Sequence, residues 1–177
     1  MAQDVKEVLY SVIDSIGRDR IRAEVSSNIG SASRYSEEIV GKCMEVLEGD
    51  DETLGTLCEA LLHFMLTASQ LPSERKVAVN GIELDVVIPS TKILAKEPTN
   101  ALVIQVIKND SDTAKIKQTE QAQPRHENIW AVSAKNLVSG SRNYSLSEGK
   151  LKYSSLVPDI HAFLADKKVS SLKMFHG

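Results

Sequence analysis

The chain has 177 residues, of which 42% are apolar, and its net charge is −3. This length favours a single domain, and the apolar content supports a real core and excludes a disordered chain. The slightly negative charge argues against a protein that coats nucleic acids without sequence preference. The aromatic content of 5% argues against a single-strand-binding protein that stacks bases on aromatic side chains. No apolar run approaches the roughly 20 residues that a membrane-spanning helix needs, so no membrane contact is expected.

Charge is divided unevenly along the chain. Residues 1–75 hold 7 Lys and Arg against 14 Asp and Glu, whereas residues 76–177 hold 14 against 10. The mildly basic second part is compatible with phosphate contacts or with an ordinary solvated surface. The N-terminus lacks a basic segment followed by an apolar stretch, and Cys43 and Cys58 lie at apolar positions of helical patterns. We therefore predict a cytoplasmic protein with reduced cysteines in its core.

Helical periodicity dominates the start of the chain. Apolar residues recur at helical spacing from Asp4 to Ile16 and from Ser36 to Leu47, which predicts two amphipathic helices. The stretch that starts at Arg18 fits either a helical extension or a short strand, and Ser26 to Ser33 is predicted as a loop. A third helix, predicted from Thr53 to Leu66, carries a wide apolar stripe that is typical of a well-buried helix.

The pattern changes from helical to strand-like spacing after Pro72. A hairpin is predicted from Val77 to Pro89, because Asn80-Gly81 is the pair that takes positive φ in a two-residue type I′ turn. Four further elements follow in chain order: a loop from Pro89 to Asn100, a buried strand from Ala101 to Lys108, a polar helix from Ser111 to Gln123 and a strand from Asn128 to Ala134.

Patterns in the last part of the chain are weaker. Residues 135–149 are rich in Ser, Asn and Gly, and Leu151 to Leu156 fits a small edge strand. The last predicted helix runs from Pro158 to Ala165, with the proline in its first turn. We divide the chain into an N-terminal helical region (residues 1–50) that packs on the core, an α/β core (51–166) and a flexible tail (167–177).

The order helix, strand, strand, strand, helix, strand from Thr53 to Ala134 resembles the restriction-endonuclease-like, or PD-(D/E)xK, nuclease superfamily. Gly81 to Val87 is similar to the family's Gly-x-Glu-hydrophobic-Asp strand, and Leu102 to Lys108 is similar to the strand that carries the Glu-x-Lys signature. The resemblance implies an α/β fold with a central mixed sheet of about four to five strands flanked by helices. The N-terminal helical region is additional to that core.

The resemblance also implies a metal-dependent site for phosphodiester hydrolysis. Asp85 and Gln105 would bind Mg²⁺ or Mn²⁺, and Lys108 would orient or polarise the attacking water. Glu59 falls where many family members hold an acidic residue, and it would assist. Such a reaction needs a divalent cation to neutralise charge on the phosphoryl oxygens, and Mg²⁺ prefers oxygen ligands.

The sequence departs from the family motif in two ways, so the motif is degenerate. Gln105 stands where the family has an acid, and a neutral amide is a weaker ligand. Gln105 and Lys108 are also three residues apart, whereas a regular strand brings residues two apart to one face. A β-bulge would restore the geometry, and in the alternative register Val106 takes the acidic position and no ligand is left. The partners of a buried Gln105 amide are either ligands or neighbouring backbone.

The resemblance implies a nuclease that acts as a homodimer on DNA rather than RNA, in repair or recombination. Candidate nucleic-acid contacts lie on the helix after the Lys108 strand, with a plain solvated face as the alternative; they are Lys115, Lys117, Gln118 and Gln121. The alternative function is an inactive nuclease-fold interaction module, or a structural subunit such as one like a tRNA-splicing endonuclease subunit. An inactive module would need no cofactor.

Overall fold

The computed structural model describes residues 4–135, 142–146 and 151–176, with side chains as far as Lys168. Four helices precede the sheet, and they are α1 (Val5–Ile16), α2 (Arg18–Ser27), α3 (Ser31–Met44) and α4 (Asp51–Ala68). The later elements are, in chain order, β1 (Glu74–Val79), β2 (Ile82–Ile88), α5 (Thr91–Lys96), β3 (Leu102–Ile107), α6 (Ala114–Thr119), β4 (Ile129–Ser133), β5 (Arg142–Ser145), β6 (Leu151–Lys152) and α7 (Leu156–His176).

The strands form one mixed, six-stranded sheet in the order β1-β2-β3-β4-β5-β6. The pairs β1–β2 and β2–β3 are antiparallel, and the pairs from β3 to β6 are parallel. This confirms the predicted α/β architecture and gives it more strands than the four or five expected. The extra strand, β5, lies in the Ser-, Asn- and Gly-rich stretch for which no element was predicted, because its sequence Arg-Asn-Tyr-Ser has no apolar run.

Local sequence accounts for the ends of several elements. The carboxylates of Asp4 and Asp50 accept main-chain hydrogen bonds in the first turns of α1 and α4. Between β1 and β2, Asn80 and Gly81 have φ values of 53° and 76°. These positive values agree with the type I′ turn that the Asn-Gly pair predicts.

Two predicted loops are partly helical. The loop predicted from Pro89 to Asn100 contains α5, whose first turn is capped where the Ser90 hydroxyl accepts a hydrogen bond from the Ile93 N–H. The uncertain stretch after Gly17 is helix α2, and α3 begins within the predicted Ser26–Ser33 loop. Short segments of this kind carry little periodicity, so apolar spacing alone did not predict them as helices. Of the three helices, only α5 has a side-chain cap, whereas α2 and α3 have none.

The two helices predicted after β3 differ most from their predicted bounds. The polar helix predicted from Ser111 to Gln123 is a 3₁₀ turn (Asp110–Thr113) followed by the shorter helix α6. The last helix, predicted from Pro158 to Ala165, runs as α7 from Leu156 to His176. The flexibility of residues 167–177 stays a prediction.

Both faces of the sheet are covered. One face of β2, β3 and β4 shares a hydrophobic cluster with α1 to α4 and α7, so the N-terminal helices and the sheet have a common core. Residues of the opposite face pack against α5 and α6. Cys43 and Cys58 are buried and free, as predicted. Among the described residues, no helix combines the length and the apolar character that crossing a membrane requires.

Candidate active site

The site lies where strands β2 and β3 part. The two strands pair only at Val86, Val87 and Ile88 of β2, so the N-terminal half of β2 has no ladder partner on that side. Asp85 and Gln105 are the first residues beyond the paired stretch, one on each strand. The gap leaves main-chain groups to be satisfied by side chains, which explains the polar residues in these apolar runs.

Gln105 is fully buried, and its amide bridges the two strands. Its Oε1 accepts a hydrogen bond from the Asp85 N–H at 2.9 Å, and its Nε2 donates to the Glu83 carbonyl at 3.0 Å and to the Thr119 hydroxyl at 2.9 Å. Both amide hydrogens and one oxygen position are therefore used within the protein. Of the two partners that the sequence left open for Gln105, the structure provides neighbouring backbone, together with one hydroxyl.

The Asp85 carboxylate is buried but surrounded by donors. Its Oδ2 accepts from the Val106 N–H at 2.8 Å and lies 3.1 Å from Lys115 Nζ, while Oδ1 lies 3.3 Å from Lys76 Nζ. Burial raises the pKa of this carboxyl, but the Val106 hydrogen bond and the Lys115 charge outweigh burial, so the pKa lies below its ordinary value. Asp85 is therefore ionised at neutral pH.

Glu59 reaches the same place from helix α4. Its Oε2 lies 3.1 Å from Lys76 Nζ and its Oε1 lies 3.4 Å from Lys108 Nζ. Burial raises the pKa of Glu59, but the Lys76 hydrogen bond and the Lys108 charge more than compensate, so the pKa is lowered. Lys76 thus contacts both acids, and every oxygen of the two carboxylates faces an ammonium group.

We call this group of five residues the carboxylate–lysine cluster: Glu59, Lys76, Asp85, Lys108 and Lys115. Three ammonium groups against two carboxylates leave a formal charge of +1. The structure therefore brings together three of the four predicted catalytic residues, Glu59, Asp85 and Lys108. The fourth, Gln105, lies beside the cluster and holds the main chain of Asp85.

The backbone of Lys76 adopts a strained conformation at the point where its side chain enters the cluster. It lies within β1 but has a φ of 52°, a left-handed conformation that costs a non-glycine residue on the order of 1 kcal/mol. No ladder pair joins Lys76 to Asp85, although Arg75 and Val77 on either side pair with β2. This local break in the strand accompanies the contacts of its ammonium with Glu59 and Asp85.

Lys108 is seated against a glycine of helix α4. A Cβ added at Gly55 would lie 2.9 Å from Lys108 Cγ and 3.3 Å from Lys108 Cα. Only glycine therefore lets the end of β3 approach the helix this closely. Because Gly55 and Glu59 are one helical turn apart on α4, this contact and the Lys108–Glu59 ion pair fix the same side chain.

The donor set is compatible with a divalent cation at one point. Lys115 Nζ lies 3.1 Å from Asp85 Oδ2 and 3.2 Å from the Val106 carbonyl oxygen, so a carboxylate and a carbonyl already converge on one cationic group. Oxygen donors of this kind suit Mg²⁺ or Mn²⁺. Across the described residues, no group of three or more His, Cys, Asp or Glu side chains converges on one point.

The predicted nucleic-acid contacts are not brought together. Lys115 belongs to the cluster, whereas Lys117, Gln118 and Gln121 are exposed on or just after α6. The sequence analysis did not identify Lys76 or Gly55 as functional. A glycine in the middle of a helical pattern is a signal of close approach, but a left-handed lysine in a strand leaves no pattern to read.

Comparisons with known proteins address the fold. No family model matches the chain, and no curated protein sequence matches it. Among solved structures, a complex of the restriction endonuclease PspGI with substrate DNA is similar over 93% of this chain and 94% of that one, with a TM-score of 0.64 and 13% identity. The chain therefore has a restriction-endonuclease-like fold, which confirms that expectation from the sequence.

Proposed function

We propose that this protein is a nuclease that hydrolyses phosphodiester bonds in DNA at the carboxylate–lysine cluster. The observation that carries the proposal is the convergence of Glu59, Asp85 and Lys108 where two strands of a restriction-endonuclease-like sheet part. The similar structure is itself a restriction endonuclease bound to DNA, which supports DNA as the substrate. We place the activity in repair or recombination. We further propose a homodimer, because two such sites would cut both strands of a duplex in one binding event.

A divalent cation, Mg²⁺ or Mn²⁺, is part of the proposal. Asp85 and the Val106 carbonyl oxygen would hold it, in the place that the Lys115 ammonium occupies, and Glu59 would support it from α4. When bound, such an ion neutralises the negative charge that builds on the phosphoryl oxygens. This ligand set differs from the sequence expectation, since Gln105 acts as a positioning residue whose hydrogen bonds hold the main chain of Asp85.

The lysines supply the rest of the chemistry. Lys108 and Lys76 have ammonium groups within 3.5 Å of Glu59, and in the substrate complex these cations would bind the non-bridging phosphate oxygens. The formal charge of +1 favours a phosphodiester over a neutral substrate. Glu59 positions both lysines, and Lys108 also orients the attacking water.

Cleavage of duplex DNA with Mg²⁺ or Mn²⁺ tests the proposal. Asp85→Asn keeps an oxygen that can accept the Val106 hydrogen bond but removes the charge, so we expect cleavage to fall by at least roughly 100-fold with the fold retained. Glu83→Gln is the matched control, because Glu83 is an exposed carboxylate two residues earlier on β2. Equal cleavage by wild type and Asp85→Asn would contradict the proposal.

A DNA-binding module without catalysis is the second candidate function. It is favoured by one observation, that all four carboxylate oxygens of Glu59 and Asp85 are paired with lysines. Such a module would bind duplex DNA but leave it intact with either cation at any concentration. The same cleavage assay therefore separates the two functions, provided that binding is measured in parallel.

A further inference from the structure

A basic cleft lies between helices α1, α2 and α4 and the start of β1. Its cavity measures about 400 Å³, and its lining includes Tyr10, Arg18, Arg22, His63, Thr67 and Arg75. Four of the seven basic residues in the acidic first 75 residues, namely Lys6, Arg18, Arg22 and Arg75, line this cleft or its extension. Positive charge is therefore concentrated here rather than spread over this part of the chain.

Most of this charge is not neutralised within the protein. Arg18 pairs with Asp14 at 2.9 Å and lies over the Tyr10 ring. Among the described residues, no carboxylate lies within 4.0 Å of the charged groups of Lys6, Arg22 or Arg75. Cations that converge on a cavity without internal partners favour an anion from outside.

His63 lies among the cationic side chains that line the cleft and its extension. Its Nε2 is buried and has no hydrogen-bond partner among the described residues. The pKa of His63 is lowered to about 4, mainly by burial and further by the charges of Arg75, Lys76 and Lys6, against the opposing effect of Glu59. Because His63 lines the cleft, its ring would sense an anion that binds there.

Glu59 links the cleft to the carboxylate–lysine cluster. A smaller cavity of about 80 Å³ shares Tyr10, His63 and Arg75 with the cleft and is also lined by Glu59. On helix α4, Glu59, His63 and Thr67 recur every four residues and so lie on one face. Eight helical residues span about 12 Å, the axial length of three to four nucleotides in one DNA strand.

We propose that the basic cleft binds backbone phosphates of the DNA strand that continues from the carboxylate–lysine cluster along helix α4. The inference rests on the proposed function for the nature of the ligand. Arg22 and Arg75 would form paired hydrogen bonds with phosphate oxygens, since a planar guanidinium matches that geometry better than an ammonium does. The cleft would therefore hold the strand without reading its bases.

Binding of a fluorescein-labelled DNA duplex in EDTA, followed by anisotropy over a salt series, tests the cleft apart from cleavage. For the double variant Arg22→Ala/Arg75→Ala we expect affinity to fall by at least roughly tenfold. The slope of log K against log salt should fall by about 2, because each phosphate contact contributes about 0.9. Arg20→Ala is the matched control, since Arg20 is exposed on the same helix α2 and pairs with Glu24 outside the cleft. Unaltered thermal melting of each variant shows that it is folded.

A second arm uses inorganic phosphate, with the His63 ring resonances in NMR as the readout. We expect phosphate to shift these resonances in the wild type and not in the double variant. Shifts without any dependence of DNA binding on Arg22 and Arg75 would mean a small phosphate ligand and would overturn the strand assignment. An absence of both shifts and arginine-dependent binding overturns the inference outright.

The two proposals fail in different ways. If the wild type cleaves DNA and the double variant binds DNA as the wild type does, the nuclease proposal stands and the proposed role of the cleft is wrong. If DNA binding depends on Arg22 and Arg75 but no metal-dependent cleavage occurs, the proposed role of the cleft stands and the nuclease proposal is wrong. Asp85→Asn supports the separation further, because it alters the cluster and should leave the salt slope within about one phosphate contact of the wild type.

Discussion

The amide of Gln105 holds the main chain of Asp85 in place. Its Oε1 accepts the Asp85 N–H at 2.9 Å while its Nε2 donates to the preceding Glu83 carbonyl at 3.0 Å. The side chain thereby supplies the hydrogen bonds that β2 lacks where it parts from β3. A carboxylate at this position would have no proton to donate to that carbonyl at neutral pH. Gln105 therefore satisfies main-chain groups of β2 that a carboxylate at this position could not all satisfy.

Removing the Gln105 amide should destabilise the protein. Gln105→Leu leaves a buried N–H, a carbonyl and the Thr119 hydroxyl without these partners, so we expect the free energy of unfolding to fall by about 2–4 kcal/mol. Urea denaturation measures the change. Gln118→Leu on the exposed face of α6 is the control and should stay within about 0.5 kcal/mol of wild type. A near-neutral Gln105→Leu would show that Gln105 is not needed to hold the two strands.

Replacing Lys115 should strengthen divalent-cation binding. Its ammonium lies where Asp85 Oδ2 and the Val106 carbonyl converge, so Lys115→Met removes a competing cation and leaves both oxygens. We expect Mn²⁺ affinity in isothermal titration to rise roughly fivefold, the equivalent of one ion pair worth about 1 kcal/mol. Lys117→Met, an exposed lysine on the same helix, should leave the affinity unchanged. Weaker Mn²⁺ binding in Lys115→Met would argue against this position for the ion.

The close approach of Gly55 and Lys108 should appear as energetic coupling. Gly55→Ala places a methyl group 2.9 Å from Lys108 Cγ, so we expect a loss of about 1–3 kcal/mol in place of the gain of about 1 kcal/mol that alanine normally brings to a helix. In a Lys108→Ala background the shortest contact is gone and the loss should shrink. Urea denaturation of the four proteins gives the coupling energy, expected at about 0.5 kcal/mol or more. Additive effects would mean that the two residues do not constrain each other.

Stability should fall on mild acidification because of His63. The pKa of His63 is about 4 in the folded protein against an ordinary value of 6.5, so the unfolded chain binds the proton first. The stability that depends on neutral His63 is therefore fully present above about pH 6.5 and is lost as the pH falls towards 4. The carboxyls of Glu59 and Asp85 contribute their own loss at lower pH, because their pKa values lie below the ordinary range.

A substitution separates the histidine from the acids. His63→Gln should lose less stability than wild type between pH 7 and pH 5 in thermal melts, whereas the exposed His161→Gln should behave as wild type does. Equal pH dependence in all three proteins would show that another group governs the acid response.

Much of the fold follows from patterns in the sequence. The Asn80-Gly81 turn, the continuous apolar run of β3 and the apolar stripe of α4 predicted their elements, because hydrophobic spacing and turn chemistry act locally. Strand β5 could not be predicted in this way, since its burial depends on the neighbouring strands.

The site was predictable only in part. Polar residues inside apolar runs pointed to Asp85 and Gln105, but their partners depend on where β2 and β3 part, which spacing does not encode. Lys76 enters the cluster through a left-handed conformation that lysine rarely takes, so no propensity predicts it. The basic cleft joins arginines from α2 and β1 that are more than fifty residues apart in the chain.

Helix α4 has a practical consequence for any attempt to trim the protein. Eleven of its eighteen residues are buried, with α1, α2 and α3 on one side and the sheet on the other. In a shortened version that begins at Asp51, the side of this helix that faces α1, α2 and α3 would be exposed to solvent. Such a large exposed hydrophobic surface promotes aggregation. The shortened version would also lack Arg18 and Arg22. Recombinant versions of the protein should therefore include the first fifty residues, since these cover the helix that carries Glu59.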